Sequence, residues 1–503
     1  VATLKSKTGP LVVAGLALAL YLLTLAPTVL WGDDAELQRI VVTGEARTIG
    51  QSSAASHLLW LALARPFVRA TGLLPLDAAG RTSLLSALTG ALALVFVYLA
   101  GKELGGPLGR RAGLAGLLAA GALGVSHTFW LLAVRPAVYT LSMLLVALAT
   151  WATLCWRRTF RPAWLAAGAV AMALALTNHV LTAASAPGLV ALAVAVPRPQ
   201  RRRLLLAVAV ALGLGAVALG AAAALGAPLV DLLAAATAFR PAPPSLRELA
   251  AAPAFLVYQF PLTLPLAAWG AVRLWREDRG ALVGVLLLYA GNVLLILLHH
   301  PPAGISFRDQ FLFYLPSYLP LALLVGVGGA AAVGDVPGAA RWLPVAVAAA
   351  VLAPLAIYPL AAGVAGAVAT RLVPARSLPG RDPVAFYLLP GKGGYSGARD
   401  YGEAALERLA PQAAVVADWL PYQTLLYLQR VEGRRPDVLL SNINAGTGEQ
   451  LRFLLQHSGQ RPLYLADAAS RPYYDVEEIE RCFSLSPEGP LFRLQPRGAA
   501  GCG

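Results

Sequence analysis

Charge is scarce in this chain: only 13% of its 503 residues are Asp, Glu, Lys or Arg. A soluble domain carries about 25%, so there is too little charge here to cover a water-facing surface. Cysteine is scarcer still. Cys155, Cys482 and Cys502 are too few and too scattered for a disulfide scaffold or a zinc site, although a single Cys482–Cys502 bridge would suit a C-terminus outside the cell. No Walker loop, GxGxxG, HExxH or GxSxG occurs, so the usual soluble-enzyme signatures are absent. The 48 glycines and 37 prolines follow no period, which excludes a collagen-like chain. A hydrophobic content of 58% excludes disorder.

What is present is apolar sequence in long blocks. A spanning helix needs about 20 mostly apolar residues. Blocks of that kind lie near 10–30, 82–101, 112–131, 137–156, 163–181, 182–196, 204–225, 251–272, 280–298, 311–333 and 342–363. They predict an α-helical polytopic membrane protein of about 11 spans, with the short block at 182–196 the weakest. The first block is too long for a cleaved signal and reads as a retained helix.

The net charge of +14 is distributed unevenly. Residues 1–363 hold 25 Lys/Arg against 12 Asp/Glu, while residues 364–503 hold 15 against 14. Cytoplasmic loops are enriched in Lys and Arg. Lys5 and Lys7 place the N-terminus inside, and alternate loops then carry Lys102, Arg110 and Arg111; Arg157, Arg158 and Arg161; Arg198 and Arg201 to Arg203; Arg273, Arg276 and Arg279; and Arg341. An odd span count puts residues 364–503 outside. The basic excess is a topology signal, not a nucleic-acid-binding tail.

The loops facing outward differ in chemistry. The long first one, 31–81, holds Asp33, Asp34, Glu36 and His57, and its apolar stretch from Ser56 to Val68 is too short to span and reads as an interfacial helix. Later outer loops hold His127 and Arg135; Asn178 and His179; and His299, His300, Arg308 and Asp309. Beyond about residue 364 the composition changes. A Gly/Pro-rich linker at 374–397 precedes alternating elements: strands at Val415–Asp418, Asp437–Ser441 and Pro462–Ala466, and helices at Tyr422–Val431 and Gly448–His457. The expected domains are therefore a membrane domain at 1–363, a linker at 364–397, and a small α/β domain outside the membrane at 398–503.

Three carboxylates in four positions, Asp33, Asp34 and Glu36, are costly at a membrane boundary unless solvated, paired or used. Locally they suit a helix start, with Asp33 and Glu36 approximating a capping box. Chemically they suit a general base with an orienting partner, or oxygen ligands for a divalent cation such as Mg or Mn. Arg135 and Arg308 are candidate clamps for an anionic group, or else arginines snorkelling to lipid headgroups.

An ordered series of short stretches resembles the protein O-mannosyltransferase-like family of the GT-C superfamily of membrane glycosyltransferases. The series begins at Thr24-Leu25-Ala26-Pro27-Thr28 with Gly32-Asp33-x-x-Glu36. It continues through Arg81-x-x-Leu84-Leu85-Ser86-Ala87, Ser126-His127-Thr128-Phe129-Trp130, Val138-Tyr139-x-Leu141, Asn178-His179-Val180-Leu181-Thr182 and Arg308-Asp309-Gln310-Phe311. It ends at Leu426-Tyr427-Leu428-Gln429-Arg430 with Arg435-Pro436-Asp437-Val438. The resemblance implies a plasma-membrane enzyme that moves a sugar, mannose in the family's typical case, from a polyprenyl-phosphate donor to a hydroxyl on a protein or envelope glycan. By position, Asp33 would be the base, Glu36 its partner and Asp34 a neighbouring carboxylate. Arg135, Arg308, His57, His127, Tyr139, Asn178, His179 and Asp309 would serve the donor phosphate or substrate.

Two family features are missing. A His-Pro-Pro-Gly-type turn is replaced by Gly50-Gln51-Ser52-Ser53-Ala54-Ala55-Ser56, and an acid before Val-Tyr by Pro136-Ala137. These losses motivate an alternative: a catalytically degenerate member acting as a scaffold or assembly subunit of a membrane complex. A transporter fits less well, because no inverted repeat is evident and the polar residues sit at one face.

Overall fold

The computed structural model describes residues 8–45, 57–196, 243–298, 307–335, 342–372 and 377–498, with isolated helical positions between 202 and 220. It is mostly helical. Four helices among the described residues are long and apolar enough to cross a membrane: Ala78–Leu104, Tyr139–Thr159, Arg279–Leu298 and Phe311–Asp335. Three helix pairs pass the same test but bend: Gly106–Gly124 with His127–Ala133 by 72°, Leu246–Gln259 with Leu264–Glu277 by 96°, and Leu343–Leu352 with Pro354–Val364 by 45°. Gly9–Leu23, Pro162–Asn178 and Val180–Val194 are shorter apolar helices. Most of the block expected at 204–225 lies outside the described residues.

Apolar side chains gain little by leaving lipid, so membrane helices associate by close packing at small residues. Here Gly270 and Gly328 face each other's helices. A Cβ on Gly270 would collide with the Leu324 carbonyl, and one on Gly328 with the Leu266 carbonyl.

Three further helices, numbered in chain order, position the site. Helix α1, Asp33–Thr43, carries the carboxylates, and α2, Leu58–Ala70, buries Trp60, Leu61, Ala64 and Val68 along one face. Helix α3, Trp419–Val431, belongs to the C-terminal region and packs against α1. That region contains a five-stranded sheet in the order β2-β1-β3-β5-β4. Strand β1 (Ala414–Val416) pairs in parallel with β2 (Leu439–Ser441) and β3 (Leu463–Leu465), and Val415 lies opposite both Leu440 and Tyr464. An antiparallel hairpin, β4 (Phe483–Glu488) and β5 (Leu491–Pro496), completes the sheet and has no counterpart among the expected strands. Cys482 is disulfide-bonded and Cys155 is a free, buried thiol; Cys502 lies outside the described residues.

The C-terminal region is built onto residues 28–79, which follow the first apolar helix. Val29, Trp31, Ala35 and Ala79 share one apolar core with Tyr401, Tyr422, Leu425 and Leu426. Arg399 binds Asp77 at 3.0 Å and Thr28 at 2.6 Å, and also pairs with Glu432. The Thr424 hydroxyl donates to the Leu30 carbonyl at 3.0 Å, and the Lys392 amide donates to the Thr24 carbonyl at 2.8 Å.

Candidate active site

Helix α1 begins at Gly32, whose φ of 55° and ψ of −128° suit glycine. A Cβ there would also press on Leu420 at 2.8 Å. The capping box expected from Asp33 and Glu36 does not form, because Gly32 takes the N-cap position and Asp33 is the first helical residue. The Asp33 side chain is thereby left to face outward, where its Oδ1 accepts a hydrogen bond from the Trp419 indole at 2.6 Å. All three acids sit in the first turn, where the helix dipole favours negative charge.

Asp33 and Asp34 line a cavity of about 460 Å³ between the membrane helices and the C-terminal region. Its walls also include Arg135, Pro136, Tyr139, His57, His179, Phe313, Arg381, Tyr387 and Trp419. Asp34 is buried, and its Oδ2 lies 3.4 Å from Arg135 Nη1. Burial pushes the Asp34 carboxyl up to about 6, and Arg135 opposes that rise without cancelling it. Glu36 is also buried but does not line the cavity.

Two cations reach this place from the stretch expected to be a linker. Arg381 is only 5% exposed, lines the cavity, and stacks its guanidinium over Phe386 and Tyr387 at 4.7 and 5.3 Å. Lys392 lies behind Phe386 and donates to the Phe386 carbonyl at 2.8 Å and to the Leu389 carbonyl. Burial brings its ammonium down to about 7, Arg135 adds to that, and Asp34 pulls the other way. The Nε atoms of Arg135 and Arg381 are buried without a hydrogen-bond partner. Unsatisfied buried donors are expensive, and two guanidinium groups in one cavity suit an anionic oxygen cluster.

His57, Tyr139 and His179 form an imidazole group. The His57 and His179 rings stack with centroids 5.2 Å apart, and Tyr139 packs on His179 at 5.0 Å. Burial lowers the His57 pKa, favouring the neutral ring. Asn178 stands behind them as a tie: its side chain accepts from the Trp60 amide at 3.1 Å and donates to the Val138 carbonyl and Ser142 hydroxyl, each at 2.8 Å. His127 does not line the cavity. It is enclosed by Tyr258, Phe311 and Tyr358, with Nε2 2.6 Å from the Tyr387 carbonyl. Arg308 and Asp309 fall on a 3-10 turn, Phe307–Tyr314, but their side chains lie outside the described residues, as do His299 and His300.

Among the described residues, no three His, Cys, Asp or Glu side chains gather to hold a metal ion. Asp33 is turned to Trp419 and Asp34 to Arg135, so the adjacent acids serve different partners.

Residues 58–203 match the family model for the N-terminal domain of protein O-mannosyl-transferase TMEM260. The fold is similar to that of ArnT from Cupriavidus metallidurans bound to undecaprenyl phosphate, with a TM-score of 0.57 and 16% identity over 97% of this chain and 98% of that one. Against apo ArnT from the same organism the TM-score is 0.55, with 15% identity over 96% and 97%. No curated protein matches the sequence. The resemblance to the protein O-mannosyltransferase-like family is borne out by the family model over residues 58–203, and the overall fold is like that of ArnT.

Proposed function

We propose that this protein O-mannosyltransferase-like, GT-C-fold chain is a membrane glycosyltransferase. It takes a sugar, with mannose the family's expectation, from a polyprenyl-phosphate donor and places it on a hydroxyl of a protein or envelope glycan. The observation that carries this reading is one cavity that holds an accessible carboxylate, Asp33, beside the half-buried guanidinium of Arg135 and the buried one of Arg381. Undecaprenyl phosphate bound to ArnT, a protein of similar fold, supports the lipid class.

In the reaction the acceptor oxygen attacks the anomeric carbon while Asp33 takes its proton. The bond from that carbon to the phosphate oxygen breaks, and the polyprenyl phosphate leaves with the electron pair. A hydroxyl is a weak nucleophile until a base removes its proton during attack. The Trp419 indole holds the Asp33 carboxylate in one orientation. Arg135 and Arg381 meet the charge growing on the leaving phosphate, and Asp34 anchors Arg135. Asp33 points to Trp419 and Asp34 to Arg135, so the two acids are not set to share one Mg or Mn ion.

The site faces outward in a plasma-membrane topology of about eleven spans, N-terminus in and residues 398–503 out. The basic inner loops support this orientation, and so does the disulfide at Cys482, since such bonds persist in oxidising compartments. The scaffold alternative also has an observation in its favour: Pro136 and Ala137 line the cavity where the family places an acid. One experiment separates the two readings. Purified protein is supplied with polyprenyl-phosphate mannose and a hydroxyl acceptor peptide or glycan. Transfer by the native chain and its loss in Asp33→Asn support the enzyme; binding of neither donor nor polyprenyl phosphate by the native chain sinks it in favour of the scaffold.

A further inference from the structure

The stacked histidines hold opposite tautomers. His57 Nδ1 lies 2.8 Å from the Asn178 carbonyl, which can only accept, so Nδ1 carries the proton. In a neutral ring His57 Nε2 is then a lone-pair acceptor, and burial lowers the His57 pKa, favouring that neutral ring. His179 is reversed. Its Nδ1 accepts from the Leu181 amide at 3.2 Å, so that ring is neutral and its proton sits on Nε2. Two imidazolium ions stacked at 5.2 Å would repel, which reinforces the neutral state of the pair. Both residues line the cavity that holds Arg135 and Arg381.

We propose that His57 and His179 form the donor-sugar subsite and read a pair of neighbouring hydroxyls, one donating to His57 Nε2 and the other accepting from His179 Nε2–H. The inference rests on the glycosyltransferase reading and deepens it: the arginines take the phosphate, and the neutral imidazoles take the sugar. An uncharged donor–acceptor pair matches a diol and has no special affinity for a phosphate, which separates these histidines from the clamp. Tyr139, packed on His179, fixes the ring plane. Asn178 acts as a positioning residue, because its carbonyl sets the His57 tautomer.

The test compares two lipids, polyprenyl-phosphate mannose and sugar-free polyprenyl phosphate, on the full-length protein in detergent. His57→Phe and His179→Phe keep a ring for stacking and remove the nitrogens. Each is expected to weaken the sugar-bearing lipid about tenfold, the worth of one hydrogen bond of this kind, and to leave the sugar-free lipid unchanged. His57→Gln, whose amide reaches the place of Nε2, should recover most of the loss. Equal weakening of both lipids, no weakening of either, or an effect confined to the acceptor's KM would each overturn the proposal. If the native protein binds neither lipid, the glycosyltransferase reading itself fails, and that result is distinguishable from all the others.

Discussion

The charged group of the cavity and its imidazole group are assembled from the chain in different ways. Asp33 and Asp34 come from the start of α1, Arg135 from the loop after a bent helix pair, and Arg381 from a segment nearly 250 positions later. Their geometry therefore depends on the C-terminal region docking on residues 28–79. The imidazole group is held within the membrane domain, by Asn178 tying α2 to the helix that starts at Tyr139. It is charge-free, where the other group depends on charges taken out of water. One group is suited to stabilise a changing charge; the other is suited to recognise a shape that does not change.

The sharpest way to break this contrast is Asp33→Asn. It should lower the transfer rate by at least about 10²-fold while the donor lipid still binds, since general-base catalysis typically contributes 10²–10⁴. Single-turnover transfer measured beside lipid binding checks both halves of the claim. Next in size, Arg381→Ala should weaken polyprenyl phosphate with and without sugar by about 10- to 100-fold, as expected for a charge-assisted contact. A loss confined to the sugar-bearing lipid would erase the distinction between the two groups. Trp419→Phe keeps the apolar contact and removes the indole N–H, so kcat should fall by up to about tenfold with little change in donor KM.

The smallest effect is on pH dependence. Lys392, at about 7, loses its positive charge as pH rises from 6 to 8, so the field favouring a phosphate weakens and donor KM should rise a few-fold over that interval. A sugar phosphodiester does not itself titrate there, and Lys392→Met should flatten the profile. Asp34, at about 6, acts in the same direction: its protonation on the acid side frees Arg135 for the phosphate. An affinity that instead rises with pH would show that neither group acts on the donor.

The sequence made one part of this site visible and hid the other. Acids directly after an apolar block and histidines gathered between apolar blocks can be read locally, because burying such groups in lipid is costly and their placement is therefore constrained. The carboxylate helix and the short apolar helix at Leu58–Ala70 were legible for that reason. Arg381 and Lys392 carry no local signal. They sit in a Gly/Pro-rich stretch with no periodicity, and only tertiary packing against Phe386 brings them to Asp34. The hairpin at 483–496 was missed differently: Pro487, Gly489 and Pro490 dominate its middle, although Phe483 and Leu485 alternate with serines as a half-buried strand should. The failed capping box shows the limit of motif spacing, because a glycine with positive φ took the N-cap position and released Asp33 for other work.

The docking of residues 377–431 on residues 28–79 also has a consequence in time. Synthesis runs from the N-terminus, so Asp33, Arg135, His57 and His179 are all made before the wall that completes their cavity. A chain that stops short of the C-terminal region has Asp33 with no Trp419 to aim it and a cavity with the Arg381 guanidinium missing. If the proposed function holds, such a nascent protein would meet donor lipids without spending them. On the proposed function, competence would arrive only when residues 377–431 have docked, so the order of the sequence itself would keep an unfinished chain inactive.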